Sequence, residues 1–469
     1  MNLNKANLLL ITFDQWRGDW TDPKNPIVRM PCLEQLGTEG LIARRCYTSS
    51  PQCVPARMSW LTGLAPSQMG VTRNCEAEVP ADAPSVFREL QKAGWHTELI
   101  GKTHWTSHRT PGDLREKEEL IKKLGFNQVK EVAGPRALQI MRCELSDEWR
   151  REGVFDSYLK DMKKRYQRGR TNEAWSVRPT ILPDHLYPDI WIANQGIKAI
   201  QNMPRDQPWL LWISFIGPHE PFDTPKRWCK VNEEVPKFTK PGKWIRELAD
   251  ESELKQTLIS WEKLLTFDSI EALRKDYANN LRLLDDQLYR LTDALKIRPD
   301  AKQTGIAITA DHGEMLGDHH MLYKGTFLEG SIHVPFQYTP PNQTNNRPIT
   351  INKPICLTDI FTTVIKNIKE GGQLKPIRRH IRQQTHVTIE FGEELLIIKN
   401  KKKLCCHISG APTWAINLKK DPKEQINQLN RNTKLLSKDR EWSLIYSIAQ
   451  KEIKIRKQAS WIWRNLKLS

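Results

Sequence analysis

The sequence lacks a hydrophobic stretch that could cross a membrane. Its longest apolar run, Trp209–Ile216, is interrupted by Ser214, whereas a spanning helix needs roughly 20 apolar residues. The N-terminal run Leu8–Phe13 is too short for a signal peptide and is not followed by a small-residue cleavage site. A disulfide framework is missing too, because the nine cysteines are irregularly spaced and Cys405 and Cys406 are adjacent. These absences exclude integral membrane and disulfide-scaffold proteins and predict a cytoplasmic location.

Charge is concentrated at one end of a chain that is otherwise nearly balanced. The 469 residues carry a formal net charge of +17, and residues 399–469, with 17 Lys/Arg and 5 Asp/Glu, supply +12 of it. With 39% apolar and 27% charged residues, the chain can bury a large core and is not expected to be disordered. The length predicts two or three domains, or one large domain with an appendage.

Buried strands that alternate with helices are the main structural pattern. Continuous apolar runs with β-branched residues suit strands covered on both faces. The predicted strands are Asn7–Phe13, Trp95–Ile100, Trp209–Ile216 and Gly305–Ala310, and helical spacing precedes the last three in Ser85–Ala93, Asp189–Gln201 and Tyr277–Lys296. This order predicts an α/β fold with a central, mainly parallel sheet sandwiched by helices.

Titratable side chains follow each of the four predicted strands. The segments are Asp14-Gln15, Gly101–His104, Gly217–Pro221 and Asp311–Glu314. The carboxyl ends of parallel strands meet at one edge of a sheet, where α/β proteins bind their ligands. We therefore expect one functional site at this edge.

The rest of the chain is predicted to form additions to this core. Residues 1–375 form the predicted catalytic domain, in which the charged, helix-prone stretch 106–185 is a substrate-shaping insertion without buried strands. Residues 376–435 are predicted to form a small antiparallel-sheet subdomain and residues 436–469 a basic amphipathic helical tail. The predicted strands there are His386–Glu390, Leu395–Lys399 and Leu404–Ile408, and the helix Arg440–Lys457 carries Trp442, Ile445, Ala449 and Ile453 on one face.

The most specific motif is Cys53-Val54-Pro55-Ala56-Arg57, followed by Leu61-Thr62-Gly63. On this C-x-P-x-R and L-T-G pattern the chain resembles the type I sulfatases of the alkaline phosphatase superfamily. The resemblance extends from Asn7 to the segment Asn417–Glu424. It implies an alkaline-phosphatase-like fold with a small C-terminal α+β subdomain. It also implies that a maturation enzyme oxidises Cys53 to formylglycine, whose hydrated aldehyde attacks the sulfur of a sulfate ester.

The resemblance also implies a site for one divalent metal ion per chain, held by Asp14, Asp311, His312 and residue 53. Calcium is the favoured ion and manganese is possible. Many sulfatases have a second aspartate where this chain has Gln15, and asparagine where it has His312. The Asp-Gln and Asp-His pairs resemble the branch of choline sulfatases and phosphonate monoester hydrolases. Asn74 fits an active-site asparagine of that branch, and we expect Gln15 and Asn74 to bind substrate.

The resemblance implies catalytic roles for further basic residues. Lys102 and His104 match the family's G-K-x-H pair, in which the lysine neutralises sulfate charge and the histidine takes a proton as sulfate leaves. His219 and Lys324 are expected to stabilise or protonate the leaving oxygen. Arg57 holds the hydrated aldehyde, and Asp311 assists its deprotonation. The nearby Glu314, Asp318 and His319-His320 are interpreted as ordinary polar loop residues.

Three functions follow from these residues. The first is hydrolysis of a small anionic sulfate monoester by a sulfuric ester hydrolase. The second is hydrolysis of phosphonate monoesters or phosphodiesters. Gln15, His312 and Asn74 favour this second reaction, whereas the Lys102–His104 pair favours the first. The third is an inactive relative that binds an acidic polymer through Lys401–Lys403, Trp442, Trp461 and Trp463. No nucleic acid or membrane partner is indicated, and an oligomer is possible.

Overall fold

The computed structural model describes residues 6–108, 110–166, 177–230, 234–262, 265–342, 348–431 and 434–466, with side chains up to residue 458. Its strands are β1 (Asn7–Phe13), β2 (Leu41–Ala43), β3 (Cys46–Tyr47), β4 (His96–Gly101), β5 (Gly112–Asp113), β6 (Gln128–Glu131), β7 (Met141–Arg142), β8 (Trp209–Ser214), β9 (Thr304–Ala310), β10 (His333–Val334), β11 (Phe336–Thr339), β12 (Ile349–Ile351), β13 (Ile355–Cys356), β14 (Val387–Phe391), β15 (Glu394–Lys399), β16 (Lys402–His407) and β17 (Pro412–Asn417).

The helices lie between and around these strands. They are α1 (Pro31–Thr38), α2 (Cys53–Thr62), α3 (Val86–Lys92), α4 (Glu118–Lys123), α5 (Glu144–Arg151), α6 (Phe155–Tyr166), α7 (Pro188–Asn202), α8 (Lys243–Arg246), α9 (Glu253–Trp261), α10 (Phe267–Lys296), α11 (Glu329–Ile332), α12 (Leu357–Asn367), α13 (Leu374–Gln383), α14 (Gln428–Arg431), α15 (Leu435–Lys438) and α16 (Arg440–Leu466). Within the described ranges, no helix is both long and apolar enough to cross a membrane.

A central sheet organises the catalytic part of the molecule. In the described chain it has eight strands in the order β12-β2-β11-β9-β1-β8-β4-β6, and within it only β11 runs against the others. All seven residues of β1 are buried, as expected for a central strand with helices on both faces. The predicted α/β class and the mainly parallel sheet are confirmed.

The long helix α10 shows why the helical layers form where they do. Its first turn is closed by a capping box, in which the Thr266 side chain accepts from Ser269 N and the Ser269 side chain accepts from Thr266 N. Its buried apolar side chains recur at helical spacing and pack beside α7. The helix begins ten residues before the predicted segment Tyr277–Lys296, because the polar first turns hide the periodicity.

Helix α2 carries the cysteine motif into the interior. All ten of its residues are buried. The side chain of Gln52, at the N-cap, makes no capping bond; Asn74 Oδ1 instead accepts from Val54 N at 2.9 Å. Gly63, at φ +72°, ends the helix and donates to Ser59 O at 2.8 Å. The glycine of the L-T-G pattern is therefore the left-handed residue that stops this helix.

The stretch 106–185 is not free of sheet strands, and that expectation was wrong. Strand β6 pairs in parallel with β4 at the edge of the central sheet. Its sequence, Gln-Val-Lys-Glu, alternates polar and apolar residues because an edge strand is only half covered, so no apolar run marks it. Other residues of the stretch, 134–137 and Ile140, line the large cavity described below.

The C-terminal region forms a separate small sheet with a helix on it. Strands β14 to β17 are antiparallel neighbours in chain order, and the apolar face of α16 packs on β15 and β16. Trp442, 3% exposed, is buried in that contact. Lys403 is fully buried as well, so neither residue is available to a polymer. The side chains of Trp461 and Trp463 lie outside the described residues.

Candidate active site

The polar segments that follow β1, β4, β8 and β9 converge at one edge of the sheet. Parallel register aligns Gly101 with Ser214 and Phe13 with Ala310, which brings the next residues of each strand together. Gly101 adopts φ +107°, and a side chain there would overlap the carbonyl oxygen of Ser214. Glycine thus lets β4 and β8 approach closely just before Lys102.

Cys53 lies at the start of α2 with its sulfur inside this cluster. Its Sγ is 3.1 Å from Lys324 Nζ and 3.1 Å from His312 Nε2. Burial and the Asp14 carboxylate raise the pKa of the thiol. Lys324, Lys102 and His312 together outweigh them, so the pKa falls well below its usual value. The surroundings of residue 53 therefore stabilise negative charge.

The four residues expected to hold a metal ion are together. Ligand atoms of Asp14, Cys53, Asp311 and His312 lie within 4.8 Å of one another, and all four residues are buried. His312 donates from Nδ1 to Gly313 O at 3.0 Å, which leaves the lone pair of Nε2 toward the cluster. Two carboxylates, an imidazole and residue 53 suit a divalent ion. The donor set fits the expected metal.

Arg57 joins both aspartates to the end of β4. Its Nε donates to Asp311 Oδ2 at 2.7 Å, and Nη1 donates to Lys102 O at 2.7 Å. Lys102 in turn contacts Asp14 Oδ2 through its ammonium. Burial raises the pKa of Asp14, but the nearby cations Lys102, Lys324 and Arg57 lower it by more, so its pKa lies well below the usual value. The cations keep the metal-ligating carboxylate charged.

Gln15 does not line the cavity, contrary to the expectation that it binds substrate directly. It is fully buried. Its amide nitrogen donates to Glu220 and Glu314, and its Oε1 accepts from Lys324 Nζ at 2.8 Å. The side chain therefore lies below Lys324 and fixes the position of that ammonium.

The two histidines expected to act on the substrate both line the cavity. His219 donates from Nδ1 to Glu220 O at 2.7 Å. Burial lowers the pKa of His219, and although Glu220 opposes this the value falls to about 4. Burial, with Lys102 and His108 nearby, also lowers the pKa of His104 well below its usual value. Both imidazoles are therefore neutral near pH 7.

A cavity of about 700 Å³ opens above Cys53. Its floor contains Lys102, Lys324 and Asn74 in addition to the two histidines. The walls further out combine polar and aromatic side chains, namely Arg73, Arg136, Glu253, Gln256, Thr257, Ser260, Trp261, Tyr323 and Phe391. Phe391 comes from β14, so the small C-terminal sheet contributes to the same cavity.

Glu314, interpreted from the sequence as an ordinary loop residue, and Glu220, which was given no role, both lie below the site. Glu314 is buried and accepts from Leu316 N, Tyr323 N and the Gln15 amide. Burial raises its pKa to about 7. Glu220 contacts Arg136, whose charge offsets burial and lowers the pKa of Glu220 to about 2. Their position in the sequence could have indicated a role, because Glu220 follows β8 and Glu314 follows β9, at the strand ends where the site forms.

Comparison with known proteins agrees with this fold and site. Residues 6–368 match the family model described as Sulfatase. An arylsulfatase of Clostridium perfringens is 28% identical, with 91% of this chain and 90% of the relative covered. A choline-sulfatase of Rhizobium meliloti is 24% identical, with 91% and 83% covered. The crystal structure of a phosphonate monoester hydrolase of Agrobacterium radiobacter superposes with a TM-score of 0.75 at 22% identity, over 97% of this chain and 96% of that one.

The fold and the strand-end site define a hydrolase of the alkaline phosphatase superfamily. Within that class, the chain belongs to the sulfatase family and is a sulfuric ester hydrolase. The likeness to the phosphonate monoester hydrolase shows a shared fold alone.

Proposed function

We propose that this protein hydrolyses a small anionic sulfate monoester, with a hydrated formylglycine derived from Cys53 as the nucleophile. One observation carries the proposal: Cys53 lies on the floor of the 700 Å³ cavity, 3.1 Å from Lys324 and within the cluster of potential metal ligands. An unmodified Cys53 thiolate would form a thiosulfate intermediate on the enzyme, and no neighbouring hydroxyl could expel sulfate from it. A geminal diol offers a second hydroxyl, which divides the reaction into two easier steps.

Asp14, Asp311, His312 and residue 53 would hold the metal ion, with calcium favoured and manganese possible. When bound, the ion supplies Lewis-acid stabilisation of sulfate and of the nucleophilic oxygen. Asp311 Oδ1 accepts from the backbone N–H groups of Gln15 and His312, and its Oδ2 accepts from Arg57. These hydrogen bonds orient Asp311 as a metal ligand. We propose in addition that Asp311 assists the deprotonation of the nucleophilic hydroxyl.

The side chains around residue 53 have distinct tasks in the two steps. In the first step, a hydroxyl of residue 53 gives up its proton with the assistance of Asp311, and its oxygen forms a bond to sulfur. The bond from sulfur to the ester oxygen breaks, and the departing oxygen anion takes up a proton from solvent to become the alcohol. Lys324 is the cation that stabilises the leaving oxygen, because a neutral His219 that donates to Glu220 O has no second proton to give. In the second, His104 takes the proton of the remaining hydroxyl, the aldehyde re-forms and sulfate leaves.

Hydrolysis of a phosphonate monoester or phosphodiester is the second candidate. Gln15, His312 and Asn74 favour it. Gln15 stands where the commoner sulfatase pattern has an aspartate and His312 where it has an asparagine, which makes the site softer and less anionic. The Lys102–His104 pair favours sulfate. Both reactions need the same stabilisation of a developing oxyanion.

Further parts of the proposal concern the protein's surroundings. A formylglycine-generating enzyme would mature Cys53, and part of residues 106–185, in particular 134–137 and Ile140, would shape substrate access. All nine cysteines are free, which supports a reducing, cytoplasmic compartment. The division into residues 1–375, 376–435 and 436–469 stays a proposal.

Peptide mass spectrometry tests the nucleophile. Trypsin should release Cys46–Arg57, in which Cys46 is an internal alkylation control. Conversion of Cys53 lightens the peptide by roughly 18 Da and leaves one alkylation site instead of two. Protein from the native host in which both cysteines are alkylated would contradict the formylglycine mechanism.

A substrate panel tests the reaction. We expect an aryl sulfate to be hydrolysed with a higher kcat/KM than an aryl phosphonate or a bis-aryl phosphodiester. A sulfate that is the poorest of the three by orders of magnitude would establish the second candidate instead. The Cys53→Ala variant is the control for contaminating hydrolases and should be inactive on all three.

A further inference from the structure

His108 lies beside His104, and the function proposed above does not use it. The two rings are stacked, with centroids 4.8 Å apart and planes inclined by 21°. His108 is 5% exposed and lines the cavity with His104. Among the described residues, neither ring nitrogen of His108 has a hydrogen-bond partner, and Nδ1 of His104 has none. Buried polar atoms without partners are costly, so a cluster of them needs an explanation.

Glu131 completes this cluster from the neighbouring strand. The β4–β6 register pairs Gly101 with Glu131, which brings the carboxyl group beside the loop that follows β4. Glu131 Oε1 accepts from the Thr103 hydroxyl and lies 3.5 Å from His108 Nε2. Its Oε2 has no partner among the described residues, and the side chain is buried. A carboxyl group, His108 and His104 therefore stand in a row that ends at the cavity.

His104 needs a fixed ring orientation and a partner for the charge that it acquires. The residue adopts φ +59°, a left-handed conformation that is uncommon outside glycine, and no hydrogen bond at Nδ1 fixes the plane of its ring. The ring contact with His108 fixes that plane instead. When His104 accepts a proton, a positive charge forms in a buried place near Lys102. A carboxylate behind the stack offsets that charge, and the effect is strong where water is excluded.

We infer that His108 and Glu131 are positioning residues for His104: the stacked His108 ring holds the His104 ring in place, and the Glu131 carboxylate stabilises the protonated form of His104 while sulfate leaves. This inference rests on the proposed function, because it assigns His104 to the second step. The pair touches neither the nucleophile nor the metal ligands in the contacts described above. Its loss should therefore slow the second step and leave substrate binding and the first step intact.

Three variants test the inference: His108→Ala, His108→Phe and Glu131→Gln. His96→Phe and Glu98→Gln are matched controls, because this histidine and glutamate form a comparable pair at 2.8 Å on β4, at the end of the strand opposite to the active site. Kinetics are measured with 4-nitrophenyl sulfate, in the steady state and after rapid mixing. Thermal unfolding of each variant confirms that it folds.

We expect His108→Ala and Glu131→Gln to lower kcat by roughly tenfold or more. KM should fall together with kcat, so that kcat/KM, which reports binding and the first step, changes by less than about twofold. A burst of nitrophenol close to one per converted active site should precede slow turnover, because the second step becomes limiting. His108→Phe keeps the stacked ring and should recover part of kcat. An unchanged kcat, a higher KM at unchanged kcat, or equal losses in the controls would overturn the inference.

A readout without turnover separates this inference from the proposed function. In protein labelled with nitrogen-15 histidine, the His104 ring signals should change in His108→Ala and Glu131→Gln but not in the two controls. Unchanged His104 signals would overturn the inference even if sulfate is hydrolysed. If the wild type hydrolyses an aryl phosphonate and no sulfate, the proposed function fails, and the signals still decide whether His108 and Glu131 position His104.

Discussion

At the residue scale, Gln15 shows how a departure from the common family pattern can be accommodated. A second aspartate at this position would face the buried carboxyl groups of Glu220 and Glu314. The amide instead donates to both of them and accepts from Lys324. One neutral side chain thus satisfies two acidic groups and one ammonium, which an aspartate could not do without repulsion.

Shortening this side chain should loosen Lys324. We predict that Gln15→Asn lowers kcat/KM by roughly tenfold to a hundredfold, because the amide no longer reaches its three partners and one or two charge-assisted hydrogen bonds are lost. Asparagine tolerates the φ of +71° at this position, so the backbone should be unaffected. Steady-state kinetics check the prediction. Gln35→Asn, at an exposed position on α1, is the matched control, and an equal loss there would contradict the argument.

At the scale of elements, a group of buried carboxyl groups lies where α10 passes behind the loop that follows β8. Asp276 on α10 accepts from Thr224 N at 3.2 Å and from the Thr224 hydroxyl at 3.1 Å. Burial and the neighbouring Asp223 raise the pKa of Asp276 to about 7. Burial also raises the pKa of Asp223, to about 6. Below about pH 7, Asp276 in the folded protein therefore keeps a proton that the same carboxyl group would release in the unfolded chain.

This raised pKa sets the sign of a stability change with pH. Between pH 4 and 7 the native state binds more protons at Asp276 than the unfolded state, so its contribution to stability falls as the pH rises. Asparagine keeps both contacts with Thr224 and does not titrate. We predict that the melting temperature of Asp276→Asn, relative to wild type, increases steadily from pH 5 to pH 8. The gain is bounded by roughly 1.4 kcal/mol per pKa unit.

Thermal unfolding across this pH range measures the difference. Asp293→Asn, at an exposed position on the same helix, is the control and should show no such trend. A difference between Asp276→Asn and wild type that stays constant with pH would contradict the predicted protonation.

At the scale of the whole molecule, a buried lysine links the small C-terminal sheet to the catalytic part. Lys403 on β16 donates to Phe327 O at 2.7 Å, Glu329 Oε1 at 3.0 Å and Glu424 Oε1 at 2.6 Å. Glu424 also accepts from Glu329 N at 2.9 Å. The segment Asn417–Glu424, noted in the sequence as a family-like motif, therefore serves to dock the two parts.

Removing the ammonium should leave two buried carboxyl groups without their shared cation. We predict that Lys403→Met lowers the free energy of unfolding by roughly 3–5 kcal/mol, as measured by denaturant titration. Lys401→Met, at an exposed position two residues away, is the control and should change stability by less than about 0.5 kcal/mol. Equal effects of the two substitutions would show that the buried contacts are not what couples the sheet.

Metal binding is also expected to stabilise the whole fold. An ion that binds only the native state raises stability by mass action, by about 2.7 kcal/mol at a concentration 100 times its Kd. We predict that Ca²⁺ or Mn²⁺ raises the melting temperature of chelator-treated protein, and that Asp14→Asn abolishes this response. The exposed Asp82→Asn variant should keep it. A response that survives in Asp14→Asn would place the ion elsewhere.

How far the sequence reaches can be judged from particular segments. Strand β1, helix α7 and the small C-terminal sheet follow from short-range patterns, because apolar periodicity reports which faces a single element buries. The polar residues after β1, β4, β8 and β9 also meet as expected, since parallel strands bring their carboxyl ends together. Strand β6 escaped prediction because an edge strand has no continuous apolar run.

The sequence by itself therefore determined the α/β class, the cysteine motif and the group of side chains that surround Cys53. Only the tertiary structure decided that Gln15 lies beneath Lys324, that Lys403 is buried between two glutamates, and that Glu131 stands behind His108. The physical reason is that these contacts join distant parts of the chain: Gln15 and Glu314 are 299 residues apart. No local pattern of hydrophobicity or charge encodes such a pairing, which arises only when the strands are assembled in one sheet.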